Sequence, residues 1–346
     1  MGAPALGRAG MSRDAMLIVD ALRNPAGTAM LDGDGWTALL AMARAEQLIG
    51  TLARRLSGLC VPIAVSGILE EAGVNAEYQR RAALWEADCA RRALADYAGK
   101  VVLMKGTAYV AAGLMASEGR HIGDLDIMVA RDDLPAVEAA LLAAGWEWVK
   151  DDAYDDTYYR DHMHELPPLI HKERDRMIDV HHTILPLTAR PRPDAAAMLA
   201  GVAALENGLY IFAPADMVIH SAVHLFADGA LDGGLRNLWD IHCLLTECAD
   251  EDFWSALHSR ALHHQIWPAV HRAARLAHLL YGTQIPTAWL TRNGADILYI
   301  RRLVARDNWG RGTRPFTRLA FYIRSHWLRM PPLMLARHLS TKWRKG

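Results

Sequence analysis

The sequence predicts an α+β protein in which a small mixed sheet with helices lies between two helical regions. Apolar residues at helical spacing fill most of residues 14–98, short β-rich runs follow over residues 99–190, and helical patterns return over residues 191–346. Residues 1–13 lack either pattern and are expected to be a disordered lead. A chain of 346 residues exceeds the size at which a single hydrophobic core stops growing, so several subdomains are expected.

The N-terminal region is expected to consist of helices. Residues 36–59 carry apolar side chains at helical spacing, and residues 75–97 are rich in Ala, Arg, Glu and Leu, which are good helix formers. Pro62 is expected to start another, short helix between these two.

The central region is expected to form the sheet. Its strand-like runs cover residues 101–104, 125–129, 146–149 and 177–185. A helix over residues 134–144 lies among them, and Gly145 is expected to end it. Strands mixed with helices in this way predict a small mixed sheet with helices on one face as the core over residues 99–190.

Two carboxylates, Asp124 and Asp126, lie two positions apart on the second apolar run. Alternate side chains of a strand share a face, so both carboxylates are expected to point the same way while Leu125 and Ile127 enter the core. Mg²⁺ prefers oxygen ligands and commonly shares its coordination shell between carboxylates and substrate phosphate. Bound metal ions can also clamp the attacking and leaving oxygens of an in-line displacement. The pair therefore predicts a divalent-metal site for a nucleoside triphosphate.

A glycine turn, Gly106 followed by Thr107, comes directly after the first apolar run. Glycine lets backbone N–H groups approach phosphate, the N-terminus of the following helix favours negative charge, and Thr107 adds a hydroxyl. Lys105 could contact phosphate or cover apolar surface with its stem. Arg120 could hold a phosphate through two hydrogen bonds, which is the favoured interpretation, or pair with Glu118 or with one of the nearby aspartates.

A third carboxylate, Asp179, is expected on the run over residues 177–185, where it shares one face with His181. At that position it could complete a second metal site with Asp126. It could also deprotonate or orient an acceptor hydroxyl.

These segments resemble the polymerase-β-like nucleotidyltransferase superfamily, and more closely its bacterial uncharacterised nucleotidyltransferase family. The resemblance rests on Leu103-Met104-Lys105-Gly106, on Arg120 with Asp124 and Asp126, on Asp179 with His181, and on a helical segment with His220, His224, Arg236, Asp240 and His242. It implies transfer of a nucleoside monophosphate from a nucleoside triphosphate, expected to be ATP, to a hydroxyl. Mg²⁺ is the implied cofactor, with Mn²⁺ as the alternative ion.

Roles for individual residues follow from the motifs and the resemblance together. The catalytic and metal-binding residues are expected to be Asp124, Asp126 and Asp179. The nucleotide-binding residues are expected to be Lys105, Gly106, Thr107, Arg120 and His181. The acceptor is left open among a small molecule, a peptide, a protein side chain and an RNA end.

Two other functions remain open from the sequence. The turn has Gly106-Thr107 where the wider superfamily has Gly-Ser or Gly-Gly, and this favours a non-catalytic nucleotide- or peptide-binding accessory protein of a biosynthetic cluster or toxin–antitoxin pair. A histidine-ligated metal hydrolase is the third hypothesis, because Asp216, His220 and His224 share a helical face. Structural hydrogen bonding between helices is the favoured interpretation of those three residues.

Bulk properties indicate a cytoplasmic enzyme. Lys and Arg number 38 against 39 acidic residues, which argues against a dominant nucleic-acid-binding field. The cysteines, Cys60, Cys89, Cys243 and Cys248, lack the spacing of a zinc site and are expected to be reduced thiols. No run of about eighteen apolar residues occurs, so no membrane-spanning helix is expected.

The segment over residues 311–345 is basic and amphipathic. It has nine Lys or Arg residues, no acidic residue, and interleaved aromatic side chains. Such a segment could lie on an anionic membrane surface, bind RNA or an acidic partner, or pack its aromatic face on the helical domain.

Overall fold

The computed structural model describes residues 14–150, 153–227, 231–291 and 293–329. Over these residues a mixed sheet lies between helices from the N-terminal and C-terminal parts of the chain, which confirms the predicted α+β class. The predicted lead over residues 1–13 lies outside the described residues.

The sheet of the described residues has seven strands. They are β1 (Val102–Leu103), β2 (Leu125–Met128), β3 (Trp146–Trp148), β4 (Leu169–His171), β5 (Met177–His181), β6 (Ala203–Ala204) and β7 (Tyr210–Ile211). Their order across the sheet is β3-β4-β5-β2-β1-β7-β6. Strand β2 lies at the centre, antiparallel to β1 and parallel to β5, and in the parallel register Asp126 stands opposite Asp179.

All four residues of β2 are buried. A strand with neighbours on both sides and both faces covered is expected to read as a continuous apolar run, and Leu125, Ile127 and Met128 follow that rule. Asp126 is the exception, being only 2 % exposed. A buried carboxylate requires compensating charge or hydrogen bonds, so this exception marks a site.

The N-terminal helices are α1 (Met16–Arg23), α2 (Gly33–Ala45), α3 (Ile49–Arg55) and α4 (Ile63–Ala93), with a 3-10 helix at Pro25–Met30. The prediction of a separate short helix after Pro62 was wrong, because α4 runs unbroken for 31 residues. Gly67 and Gly73 have no neighbouring atoms that would exclude a side chain. Each glycine costs a helix about 1 kcal/mol, and burial of Val65 and Leu69 offsets that cost.

The central helices are α5 (Lys105–Ala111), α6 (Leu134–Ala143), α7 (Ala153–His162) and α8 (Ala195–Ala200), with 3-10 helices at Met115–Ser117 and Arg131–Asp133. Helix α6 agrees with its prediction, and Gly145 follows it with φ +102°, the left-handed region that glycine tolerates best. Helix α7 was not predicted.

The C-terminal helices are α9 (Pro214–Ala227), α10 (Gly234–Glu247), α11 (Glu251–His263), α12 (Trp267–Tyr281), α13 (Asp296–Leu303) and α14 (Pro315–Arg329), with a 3-10 helix at Thr287–Trp289. The expectation that the chain is helical from residue 191 onwards was wrong for β6 and β7. Each has two residues, too few to show alternation. Strand β7 exists through its parallel pairing with β1, a contact between distant parts of the chain.

The structure describes the basic segment over residues 311–345 only as far as residue 329. In α14 Phe321 and Ser325 are buried, and the Phe321 ring packs edge-on against Tyr299 of α13 at 5.0 Å, as the packing alternative predicts. The opposite face of α14 exposes apolar side chains at helical spacing, namely Phe316, Leu319, Ile323 and Trp327. In the part of the chain that the structure covers, every helix is too short or too polar to cross a membrane.

Candidate active site

Three carboxylates converge at the start of β2. Asp126 is in β2, Asp179 is opposite it in β5, and Asp124 immediately precedes β2 rather than lying within it. One oxygen from each carboxylate lies within 4.8 Å of the others. Asp124 is exposed, Asp179 is half-buried and Asp126 is buried. The structure therefore brings the three residues together, and their catalytic roles stay a prediction.

The donor set fits the implied metal. Three carboxylates offer only hard oxygen ligands, which suit Mg²⁺ and Mn²⁺ better than softer ions. Three negative groups this close also repel one another, and a divalent cation would relieve that repulsion. Asp124, Asp126 and Asp179 are thus the residues that would hold such an ion.

Lys105 lies at the sharp turn from β1 into α5. Its φ is +48°, a conformation that residues other than glycine seldom adopt and that is concentrated at functional sites. The turn carries its Nζ to 2.6 Å from Oδ1 of Asp126. This contact is neither the predicted contact with phosphate nor the predicted cover of apolar surface. The Lys105 ammonium faces a carboxylate at the edge of a cavity.

Two groups control the charge of Asp126. Burial by itself would raise the pKa of Asp126, but the charge of Lys105 and the hydrogen bond with His181 outweigh burial and hold that pKa well below its ordinary value. Asp126 is therefore ionised at neutral pH, as a metal ligand needs to be.

His181 contacts Asp126 rather than the cavity. Its Nε2 lies 3.0 Å from Oδ1 of Asp126, and its side chain is 3 % exposed. It is absent from the cavity wall, and its expected nucleotide contact stays a prediction.

A cavity of about 90 Å³ adjoins two of the three carboxylates, Asp124 and Asp126. Its walls come from the β1–α5 turn, from residues 120–124 before β2, and from helices α9 and α10. Cavities that enclose whole ligands measure about 300–1,000 Å³. This one can therefore enclose only a small part of a nucleoside triphosphate.

Arg120 forms an ion pair with a carboxylate that is distant in the sequence. Its Nε donates to Oδ2 of Asp240 on α10 at 3.0 Å, and its Nη1 donates to the carbonyl of His121 at 3.1 Å. Both charged side chains are buried. Arg120 also lines the cavity, so its favoured two-bond contact with phosphate stays a prediction. Through the ion pair Arg120 joins the segment before β2 to α10. Its partner is neither Glu118 nor one of the clustered aspartates.

Gly106 and Thr107 differ from their predicted roles. A Cβ on Gly106 would lie 2.1 Å from Nη1 of Arg120, so the glycine makes room for that guanidinium as well as lining the cavity. The Thr107 side chain is buried and does not line the cavity. A helix turns by about 100° per residue, so the residue after Gly106 faces the core instead. The Thr107 hydroxyl therefore does not reach the cavity, and the phosphate-binding role of this residue stays a prediction.

Helices α9 and α10 supply cavity residues that the sequence reasoning did not place there. They are His220, Ser221, His224, Arg236, Asn237 and Asp240. Burial first, and then the charge of Lys105, lower the pKa of His220 well below its ordinary value, so a neutral imidazole faces the cavity. The α9 end of this wall is tied to α5 by a 2.6 Å hydrogen bond between Tyr109 and Ser221.

Asp216 does not join these histidines. It accepts a hydrogen bond of 2.7 Å from Nε of Arg260 on α11, while His224 lies 3.3 Å from the side-chain nitrogen of Asn237 on α10. The favoured interpretation, hydrogen bonding between helices, describes both contacts. Among the residues with described positions, no metal-binding group combines Asp216 with His220 and His224.

Comparison with curated proteins found no significant match. A family model described as an uncharacterised nucleotidyltransferase matches residues 32–282, which is well over half of the chain. That range contains the three carboxylates, the Lys105 turn and the α9 and α10 residues of the cavity wall. The chain therefore belongs to the uncharacterised nucleotidyltransferase family.

Proposed function

We propose that this enzyme transfers a nucleoside monophosphate from a nucleoside triphosphate, with ATP as the expected donor, to a hydroxyl group, and that it depends on Mg²⁺ or Mn²⁺. The observation that carries the proposal is the convergence of Asp124, Asp126 and Asp179 within 4.8 Å. Membership of a nucleotidyltransferase family supports the reaction type, and the all-oxygen donor set supports the ion.

The reaction forms a bond from the acceptor oxygen to the α-phosphorus and breaks the bond from that phosphorus to the bridging oxygen of the leaving pyrophosphate. A bound divalent ion would polarise the phosphate and offset its charge. Asp124, Asp126 and Asp179 would hold it. Asp179 also orients the acceptor hydroxyl and takes its proton.

The positive side chains of the cavity would act on the triphosphate. Lys105, Arg120 and Arg236 line the cavity. Lys105 already lies against Asp126, and Arg120 lies against Asp240. Their charges would attract phosphate and reduce its repulsion from the carboxylates. The backbone of Gly106 is the part of the turn that remains available for phosphate.

A second candidate keeps the fold without catalysis. The small cavity and the engagement of Arg120 with Asp240 favour a nucleotide- or peptide-binding accessory protein of a biosynthetic cluster or toxin–antitoxin pair. Calorimetric titration with nucleotide and Mg²⁺, followed by a pyrophosphate-release assay, separates the two candidates. Binding without release supports the accessory role.

We also propose a location and contacts for the enzyme. All four cysteines are free thiols, which supports a reducing cytoplasm. The exposed stripe of α14, defined by Phe316, Leu319, Ile323 and Trp327, and the basic residues of that segment support peripheral contact with an anionic membrane or with RNA. The hydroxyl acceptor would be a small molecule, a peptide or a protein.

Replacement Asp124→Asn tests the catalytic proposal. Asp124 is exposed, so the variant should fold normally while losing a charged ligand oxygen. We expect transfer to fall by at least about 100-fold, measured as pyrophosphate release with each labelled triphosphate, Mg²⁺ and a cell extract. Mass spectrometry of the extract then identifies whatever gains a nucleotide.

The matched control is Asp132→Asn, which removes an exposed carboxylate from the 3-10 helix after β2. It should leave transfer unchanged. Substantial residual transfer in both Asp124→Asn and Asp126→Asn would overturn the assignment of these carboxylates.

A further inference from the structure

A second group of ligand-type side chains lies beside the carboxylates and consists of His164, Glu165 and His181. His164 and Glu165 lie between α7 and β4, and Glu165 forms an isolated antiparallel bridge with His181 at the end of β5. One ligand atom from each residue lies within 4.8 Å of the others. Their side chains are 13 %, 16 % and 3 % exposed, respectively, so three polar groups share a largely dry space.

The distances within this group fit a tetrahedral metal centre. Oε2 of Glu165 lies 3.4 Å from Nδ1 of His181 and 3.6 Å from Nε2 of His164. Two ligand atoms bound to one tetrahedral zinc ion, each about 2.0–2.1 Å from it, are about 3.3 Å apart. The third separation, between the two imidazoles, is within 4.8 Å, so an ion would draw these two rings closer together.

The contact between His181 and Asp126 gives independent support. An ionised carboxylate can only accept hydrogen bonds, so Nε2 of His181 donates its proton to Asp126 across 3.0 Å. The other ring nitrogen, Nδ1, faces the Glu165 carboxylate, with 3.4 Å between Nδ1 and Oε2. A ring nitrogen and a carboxylate oxygen at this separation can both be ligands of one metal ion.

Metal-bound histidines commonly have this arrangement. One ring nitrogen binds the metal, and the other donates to a carboxylate that fixes the tautomer and the ring orientation. Here Asp126 is that carboxylate. Two imidazoles with one carboxylate form a donor set found in zinc enzymes, where a fourth position is left for water or substrate.

We propose that His164, Glu165 and His181 form a second metal site, which binds a borderline divalent ion such as Zn²⁺ and is separate from the three-carboxylate site. Imidazole ligands suit Zn²⁺, whereas the all-oxygen site suits Mg²⁺ or Mn²⁺. An ion at this second site holds the His181 ring and, through it, the carboxylate of Asp126.

Metal binding by the purified full chain tests this proposal without any assay of transfer. The protein is stripped with a chelator and titrated with Zn²⁺, and bound metal is measured by elemental analysis. A parallel Co²⁺ titration follows the visible absorption of a four-coordinate ion with nitrogen ligands. We expect one tightly bound Zn²⁺ per chain and an intense Co²⁺ spectrum.

Variants of the ligands assign the site. Glu165→Gln, which keeps the size of the side chain, should weaken Zn²⁺ binding at least 10-fold, and His164→Ala should abolish the Co²⁺ spectrum. His162→Ala is the matched control, because His162 lies outside the group and its ring contacts Tyr158. Asp124→Asn should retain Zn²⁺, which separates this site from the carboxylates.

Circular dichroism checks that each variant is folded, and Glu165→Gln decides the outcome if His164→Ala does not fold. The proposal is overturned if the folded wild type binds no Zn²⁺ and gives no Co²⁺ spectrum. In that case the positive charge beside Glu165 would be a proton on His181. The proposal is equally overturned if Glu165→Gln binds Zn²⁺ as tightly as the wild type.

Discussion

A single methyl group at position 106 would collide with the guanidinium of Arg120, whose Nη1 lies 2.1 Å from the place of that methyl carbon. Arg120 is buried against Asp240, so its side chain has little room to withdraw. Gly106 therefore stabilises the ion pair that joins the segment before β2 to α10. The glycine expected to serve phosphate approach also serves the packing of a protein cation.

We expect Gly106→Ala to lower the free energy of unfolding by roughly 2–4 kcal/mol, because it separates a buried ion pair and leaves Asp240 without its charge partner. Denaturant unfolding measures the change. Gly73→Ala is the control, since Gly73 lies in α4 with open space around it and should gain up to about 1 kcal/mol. Equal stability of the two variants would contradict this account.

The helical N-terminal region and the candidate active site meet where α3 crosses the segment that leads into β2. Gly119 has φ +68°, and a Cβ there would lie 2.3 Å from the carbonyl oxygen of Gly50 in α3. Two backbones touch at this point because neither residue has a side chain. Helix α3 thereby supports the segment that carries Arg120 and Asp124.

Gly119→Ala should destabilise the protein more than Gly113→Ala, whose φ of +66° is nearly the same but whose surroundings are open. Gly113→Ala should lower the free energy of unfolding only by the strain of the left-handed conformation, about 1–2 kcal/mol. Gly119→Ala adds a collision with backbone, so we expect a further loss of about 2 kcal/mol or more and reduced transfer. Thermal and denaturant unfolding of the pair provide the measurement, and similar losses would show that the contact with α3 is unimportant.

The stability of the whole molecule should fall in mild acid. His242 of α10 lies with Nδ1 2.8 Å from the Thr283 hydroxyl after α12, and burial, followed by the charge of Arg55, lowers its pKa to about 4. The unfolded chain binds a proton at this residue below about pH 6.5. The native protein resists that proton until about pH 4. Stability contributed by the neutral ring is therefore present above pH 6.5 and is lost as the pH falls towards 4.

His242→Gln should reduce this acid sensitivity. Between pH 7 and pH 4.5 we expect the wild type to lose up to about 2–3 kcal/mol more than the variant, the upper value being reduced because the ring is partly exposed. Urea unfolding at both pH values measures the difference. His263→Gln, at a largely exposed side chain, should lose as much as the wild type. Identical pH dependence of His242→Gln and the wild type would contradict the assignment.

Local patterns in the sequence predicted the features that depend on near neighbours. Alternation along a strand predicted that Asp126 would lie near Asp124. The position of Asp179 opposite Asp126 comes from the parallel pairing of β2 with β5, which local patterns do not report. The ends of α6 and the class of the fold followed from periodicity and glycine. Membership of the family was visible in the same short segments.

Tertiary structure alone decided the partners of the charged residues. Arg120 pairs with a carboxylate 120 positions away, Thr107 faces the core, and α9 contributes His220 to the cavity. The two-residue strand β7 likewise depends on its parallel pairing with β1, a strand in a distant part of the chain. Periodicity in the sequence indicates which face of a helix or strand is buried. A buried charge, however, is stable only beside a specific partner. The packing of elements that are distant in the sequence determines which residue that partner is.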